Sequence, residues 1–433
     1  MKKLNYQIMG LLLFFLFFSY IVEFYLLESQ ISQQFWCVEV VKDFQILSFE
    51  NLRLPVHCDE GPYRFASASI DNFFNPTNPY QGRPLFVGIL FLLRNFISLF
   101  TFFGLDDYQN YRIAMLILQF IILFSIVKVF ISITSLKLES KNDYFIIFLL
   151  LSIPSIRWNI LLSSVGNITF LLLLISMYSL KKRKLNQTFV YKIYLLFGFL
   201  SLIHMSAIVY AFIVMFFLAL KDKKFRIKEI FINICSILGF QIVYRLIVSF
   251  SKYEFYDWHR EVYNQFYWII SALRGESQQN CQTFSTFLAC NNQVTASYIS
   301  YFILFIICIV FLLFLGFYLK KPLLQNISNI VLINTFIFIF WTFQGLYEPF
   351  RFVNYSIGYT IFLTAVLLPL AYDKNLILIT SLLIYNFSIA YLEPYNTALK
   401  APQINELTLA SGVFFVLFLF VLNREIKDQN ITN

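Results

Sequence analysis

The sequence predicts an all-α polytopic membrane protein with about twelve transmembrane helices. One further helix lies at the outer face, after a large first external loop. Three observations point there. Hydrophobic residues make up 59% of the 433 and charged residues 13%, with a mean hydropathy of +0.69. A soluble domain carries roughly 25% charged residues, so too few charges remain here to coat a water-facing surface. That excludes a soluble globular fold, a coiled coil and a disordered chain. Second, apolar runs of membrane-crossing length recur along the chain. Third, Lys/Arg clusters separate the runs at intervals that fit one sidedness. Basic residues outnumber acidic ones 33 to 24, for a net charge of +9. Taken alone, that surplus would suit nucleic acid. The cluster positions assign it to cytoplasmic loops instead, so no nucleic-acid partner is expected.

In chain order, Lys2 and Lys3 hold the start of an apolar run over residues 8–27 in the cytoplasm. No small-residue cleavage site follows it, so the run reads as a retained anchor rather than a signal peptide. The polar segment 28–83 then lies outside. Residues 84–103 have the length of a span, but Arg94 would sit at its centre at a cost of about 2.5–3.5 kcal/mol. Arg94, Asn95, Ser98 and Thr101 recur at helical spacing. A crossing here would also put Lys181–Lys184 outside. Residues 84–103 are therefore expected as an amphipathic helix in the outer interface, and the first external loop as 28–112.

With that helix set aside, residues 112–135 cross inward to Lys137 and Lys141. Residues 144–156 and 166–180 pair across an outer turn and return to the basic run at 181–184. A second pair, 190–203 and 205–220, turns at His204 and returns to the basic residues at 221–228. Residues 229–250 lead out to an external loop over 251–296. Spans at 297–319, 326–343, 356–372, 375–392 and 407–422 follow, and Arg424 and Lys427 end in the cytoplasm. Several of these segments are short for a hydrocarbon core of about 30 Å. Short helices of that kind suit a bundle lining a polar cavity. The chain reads as a single integral-membrane domain over 1–433, in the inner membrane if bacterial.

Four of the six cysteines fall in the two external loops, two in each. That placement is compatible with disulfides in an oxidising compartment. Cys37–Cys58 with Cys281–Cys290 is one of three connectivities, and free thiols are the alternative.

Polar chemistry concentrates on the same side. Asp59 and Glu60 are adjacent carboxylates beside apolar sequence, suited to general-base or metal-ligand work, or else a solvated loop pair. Arg64, Arg83, Arg94 and Arg112 offer planar forks for a phosphate, or generic contacts with lipid headgroups. His204 sits at a helix-hairpin turn, where ionisable residues tend to be functional, though a hydrogen-bonded structural histidine fits as well. Glu348 and Arg351 could clamp a substrate or pair with each other. His259 and Arg260 read as ordinary surface. No phosphate-cradling glycine loop, Ser/His/Asp arrangement or zinc spacing is present in the sequence.

The order of these features resembles the GT-C superfamily of integral-membrane glycosyltransferases, which use polyprenyl-phosphate-linked sugars. The resemblance is carried by Asp59-Glu60 with Tyr63, by Arg83-Pro84 opening the interfacial helix, and by Gly104-Leu105 and Tyr111-Arg112. Pro154 followed by Gly166-Asn167 extends it. It covers residues 1–180 best and rests on topology beyond them. Many members carry Pro-Pro where this chain has Pro84-Leu85, so the resemblance names no sugar. It implies that Asp59, with Glu60, deprotonates an acceptor hydroxyl on a glycan, lipid or protein. That hydroxyl attacks the anomeric carbon with inversion, and the polyprenyl phosphate leaves. Arg64, Arg83, Arg112, His204 and Arg351 become the candidates for holding the phosphate. No organic cofactor is implied, and a divalent metal is compatible with the resemblance. An O-antigen-type polymerase or ligase shares the span number, and its main loop lies late, as residues 251–296 do here. A transporter would show internal repeats, which the sequence lacks. A non-catalytic scaffold is a further alternative.

Overall fold

A computed structural model of the chain describes residues 6–16, 38–44, 52–57, 60–75, 78–99, 105–134, 136–152, 156, 159–160, 166–181, 187–222, 227–251 and 253. The five spans expected after residue 296 lie outside these residues. So do Asp59, Arg351 and the four cysteines Cys37, Cys58, Cys281 and Cys290.

The described chain is mostly helical. Helix α1, Tyr6–Leu16, buries Ile8, Leu12 and Phe15, the i, i+4, i+7 face. Phe15 meets Phe148 edge-on at 5.4 Å. The first loop departs from the all-α expectation, because strands β1, Val38–Phe44, and β2, Leu52–His57, form an antiparallel hairpin. Val38 pairs with His57 and Phe44 with Leu52, with an irregularity between Glu39 and Lys42. The alternation in LRLPVH is the strand pattern, which VEVVKDF keeps only over Val38-Glu39-Val40, and a search for spans passes over it.

Helices α2, Glu60–Ala66, and α3, Ile70–Phe73, follow, then a 3-10 turn at Pro79–Gly82 and helix α4, Pro84–Ser98. Helix α5 runs Asp107–Thr134. It begins five residues before the expected start at Arg112 because Asp106 and Gln109 form a reciprocal cap. Gln109 N donates to Asp106 Oδ1 at 2.7 Å and Asp106 N to Gln109 Oε1 at 3.0 Å. Ser140 and Asp143 cap α6, Lys141–Leu151, in the same way. That helix stops short of Pro154, as the restriction on residues before proline requires. Helices α7, Gly166–Lys181, α8, Gln187–Ser201, α9, Ser206–Asp222, and α10, Ile227–Ser249, complete the bundle. Among the described residues, two stretches are long and apolar enough to cross a membrane, Asp107–Thr134 and Glu229–Ser249.

The core runs between α5 and α7 and among α7, α8, α9 and α10. Its α5–α7 seam is polar at one level, where Asn167 Nδ2 donates to Gln119 Oε1 at 3.1 Å and both residues are buried. A Cβ on Gly166 would fall 2.2 Å from Asn159 Oδ1, so the Asn159 side chain would have to move aside.

Gly198 sets the approach of α8 to α10. A Cβ there would lie 2.2 Å from the carbonyl oxygen of Ser236, which is backbone and cannot step aside. Glycine to alanine within a helix ordinarily stabilises by about 0.5–1 kcal/mol. Forcing packed elements apart costs about 1–3 kcal/mol, so the clash wins. Gly198→Ala is expected to lower the melting temperature of the protein. Gly239→Ala, with nothing within 4 Å of its Cβ, is expected to raise it slightly. A Gly198→Ala protein as stable as its parent would show that α8 and α10 are not held at this distance.

Candidate functional site

At one end of the bundle, the segment between α3 and α4 is braced by its own side chains and by the late helices. Asn78 caps the 3-10 turn through Tyr80 N at 3.0 Å and donates to Phe73 O at 2.9 Å, while Gln81 Nε2 donates to Asn75 O at 2.7 Å. Tyr244, on α10, donates to Gln81 O at 2.8 Å. Leu85 N lies in the first turn of α4, where a helix has no internal acceptor to offer, and donates to Leu202 O at 3.1 Å. Gln241 Nε2 donates to Ser201 O at 2.8 Å. Beyond α10, Tyr253 stacks on Phe74 at 4.6 Å and donates to Asp71 Oδ1 at 2.9 Å. That hydrogen bond, followed by desolvation and the Asp71 charge, pushes the Tyr253 phenol above its ordinary pKa.

Against this brace stand three of the cations expected from the sequence. Helix α2 is the hub. Its Tyr63 is buried and packs 4.0 Å from Tyr80 and 5.3 Å from Phe86. The Arg83 guanidinium lies 5.6 Å from the Tyr63 ring centroid and 5.3 Å from that of Tyr80. Arg64, the next residue on α2, faces the other way and places its guanidinium 5.6 Å from the Tyr108 ring. Arg112 lies 5.6 Å from the same ring and donates from Nε to the Tyr108 hydroxyl at 3.0 Å. Each such cation–ring contact is worth about 0.5–1 kcal/mol when exposed and about 2 when desolvated. The arrangement holds three guanidinium groups among Tyr63, Tyr80 and Tyr108. Planar forks of that kind bind phosphate oxygens.

Arg94 belongs to a different structure. The expected polar stripe on α4 is split: Arg94 is 7% exposed, whereas Asn95 and Ser98 face outward. Adjacent residues on a helix stand about 100° apart, which allows one to enter the core while the next leaves it. Arg94 Nη1 donates to Arg64 O at 2.6 Å and to Ser67 Oγ at 2.8 Å, and Nη2 pairs with Asp107. Asn95 and Ser98 turn back onto their own helix, donating to Phe91 O and Asn95 O. Helix α4 also ends at Ser98, short of the expected 103. Arg94 therefore ties α2, α4 and α5 together and does not face a headgroup.

The remaining expected residues divide as follows. Glu60 is the first residue of α2, and Asp59 precedes it outside the described residues. His204 sits in the α8–α9 turn, where its Nδ1 meets Ser206 Oγ at 2.7 Å and accepts from Ser206 N at 3.3 Å. It thereby caps α9, two residues beyond the carbonyl that holds Leu85. Arg351 and the four loop cysteines are outside the described residues. Among the described residues no group of three His, Cys, Asp or Glu could hold a metal ion.

Tyr80 and Tyr108 are what sequence reasoning missed, and Tyr63 entered it only through the resemblance. Tyr108 and Arg112 are four apart on one helix, a spacing that puts both on one face, and Tyr80 lies three residues before Arg83 in a turn. Comparison of the chain with protein-family models, with curated proteins and with solved structures finds no match.

Proposed function

We propose that the chain is an integral-membrane glycosyltransferase of about twelve spans that moves a sugar from a polyprenyl-phosphate donor to an acceptor hydroxyl at the extracytoplasmic face. In this reading α5 and α10 are two of the spans and the braced end of the bundle is the outer end. The observation that carries it is the placing of Arg83 on Tyr63 and Tyr80, and of Arg64 and Arg112 on Tyr108, about the helix that begins at Glu60. These cations come from α2, the turn before α4 and the start of α5, separate in sequence yet assembled at one end.

The chemistry balances with these parts. Asp59 takes the proton of the acceptor hydroxyl, whose oxygen forms the new bond at the anomeric carbon from the face opposite the leaving group. The bond from that carbon to the phosphate oxygen breaks, and polyprenyl phosphate departs with its charge met by guanidinium groups. The isoprenoid tail stays in lipid while a glycan, lipid or protein acceptor arrives from water. His204, Glu60 and Arg351 stand by this site in the proposal, as does a divalent metal if one is required.

The test is transfer of a radiolabelled sugar from polyprenyl-phosphate donors by the full-length protein in nanodiscs. Inversion at the anomeric carbon is the expected outcome. Removing the charge-assisted hydrogen bonds with Arg64→Gln and Arg83→Gln is expected to raise the donor KM by about 10–100-fold each. Transfer of oligosaccharides from lipid diphosphates alone, or no transfer from any lipid phosphate, would sink the proposal.

A further inference from the structure

We infer that Arg94 is a positioning residue for Arg64, holding the backbone from which that guanidinium meets the phosphate, an inference that rests on the lipid-phosphate reading of the site. Helix α2 ends just after Arg64, and the last carbonyls of a helix lack partners within it. Tyr63 O accepts from Ser67 N at 2.9 Å, and Phe65 O accepts from Ala68 N at 3.1 Å. Arg64 O, between them, accepts from Arg94 Nη1 at 2.6 Å and from Ser67 Oγ at 3.3 Å. The same Nη1 donates to Ser67 Oγ at 2.8 Å, and Nη2 pairs with Asp107. Asp107 is the chain neighbour of Tyr108, whose ring centroid lies 5.6 Å from the Arg64 guanidinium. The contacts close a circuit. Two adjacent residues of α5 hold Arg64 at both ends, its carbonyl by way of Arg94 and its guanidinium through a ring face. An arginine side chain carries about 2 kcal/mol of rotamer entropy, and anchoring it in advance reduces what anion binding must overcome. Arg94 is 7% exposed while Arg64 is half-buried, so the enclosed cation serves as the brace and the more open one meets the ligand. An ammonium at position 94 lacks the fork that reaches the carbonyl, the hydroxyl and the carboxylate together.

The experiment is a double-mutant cycle that measures binding of farnesyl phosphate, and of farnesol as its uncharged counterpart, to the full-length protein in nanodiscs. Wild type is expected to prefer the phosphate. Arg94→Lys is expected to weaken farnesyl phosphate binding about fivefold to tenfold and to leave farnesol binding unchanged. In the Arg64→Gln background the same substitution should change the affinity by less than about twofold, because the group it positions is gone. A role confined to the fold predicts the opposite: the same loss with or without the Arg64 guanidinium, or an equal loss for both ligands. Either result overturns the inference and leaves the phosphate site standing, as does wild-type affinity in Arg94→Lys. A wild-type protein that binds farnesol as tightly as farnesyl phosphate overturns the site and the inference together.

Discussion

Replacing Arg94 by alanine is expected to cost about 2–4 kcal/mol of stability and to loosen α2 from the bundle. The side chain is 7% exposed, lies 5.9 Å from the Tyr111 ring centroid and makes three polar contacts: a carbonyl on α2, a hydroxyl just beyond α2 and a carboxylate at the start of α5. Truncation deletes all three and the packing of the aliphatic stem. The partners fare differently. Asp107 is 68% exposed and returns to solvent at little expense, since a screened surface charge is worth little by itself. The Arg64 carbonyl and the Ser67 hydroxyl lose a charged donor and keep the weaker bond between them, Ser67 Oγ donating to Arg64 O at 3.3 Å. Arg94→Ala should therefore be worse than Asp107→Asn, with Arg94→Lys between them because an ammonium lacks the fork. Thermal unfolding, with limited proteolysis between residues 60 and 83, reads both effects. Equal melting temperatures for Arg94→Ala and wild type would remove the tie.

Asp59→Asn is expected to reduce sugar transfer by about 10²–10⁴-fold and to leave donor affinity intact, so that kcat falls while KM holds. The substitution isolates charge from architecture. Helix α2 opens at Glu60, and asparagine is as good a residue as aspartate in the position before a helix. The hub carrying Tyr63 and Arg64 should therefore persist, and with it the grip of the cations on phosphate. Glu60→Gln is the companion variant and should have a smaller effect if Asp59 is the base. Transfer at the parental rate by Asp59→Asn would take that residue out of the mechanism. A parallel rise in donor KM would instead show that α2 had moved.

Most helix positions were legible because their causes are local. Apolar runs marked α5 to α10, but α6 starts at Lys141 rather than at the expected 144, because Ser140 and Asp143 cap it ahead of the apolar run. The start of α5 was legible in principle from Asp106 and Gln109 and was overlooked in favour of the arginine at 112. The direction of Arg94 was not legible. Spacing put it on a stripe with Asn95 and Ser98, and only the presence of Asp107 and α2 beside α4 decides that the guanidinium turns inward. The candidate site divides the same way. Arginines at 64, 83 and 112 stand out in an apolar sequence by their charge alone. Tyr80 and Tyr108 are lost among 27 tyrosines until Tyr63 meets Tyr80 and Arg64 reaches the Tyr108 ring.

The links from the 71–81 segment to the far end of α10 bear on time. Tyr244 reaches back 163 residues to Gln81, and Tyr253 reaches back 182 to Asp71. At a synthesis rate of about 5–20 residues per second, the polar turn waits on the order of ten to thirty seconds between leaving the ribosome and gaining these braces. Contacts so distant in sequence also close slowly. The part of the chain that carries the arginines is thus made well before it is secured, and a chaperone or protease has its opening in that interval.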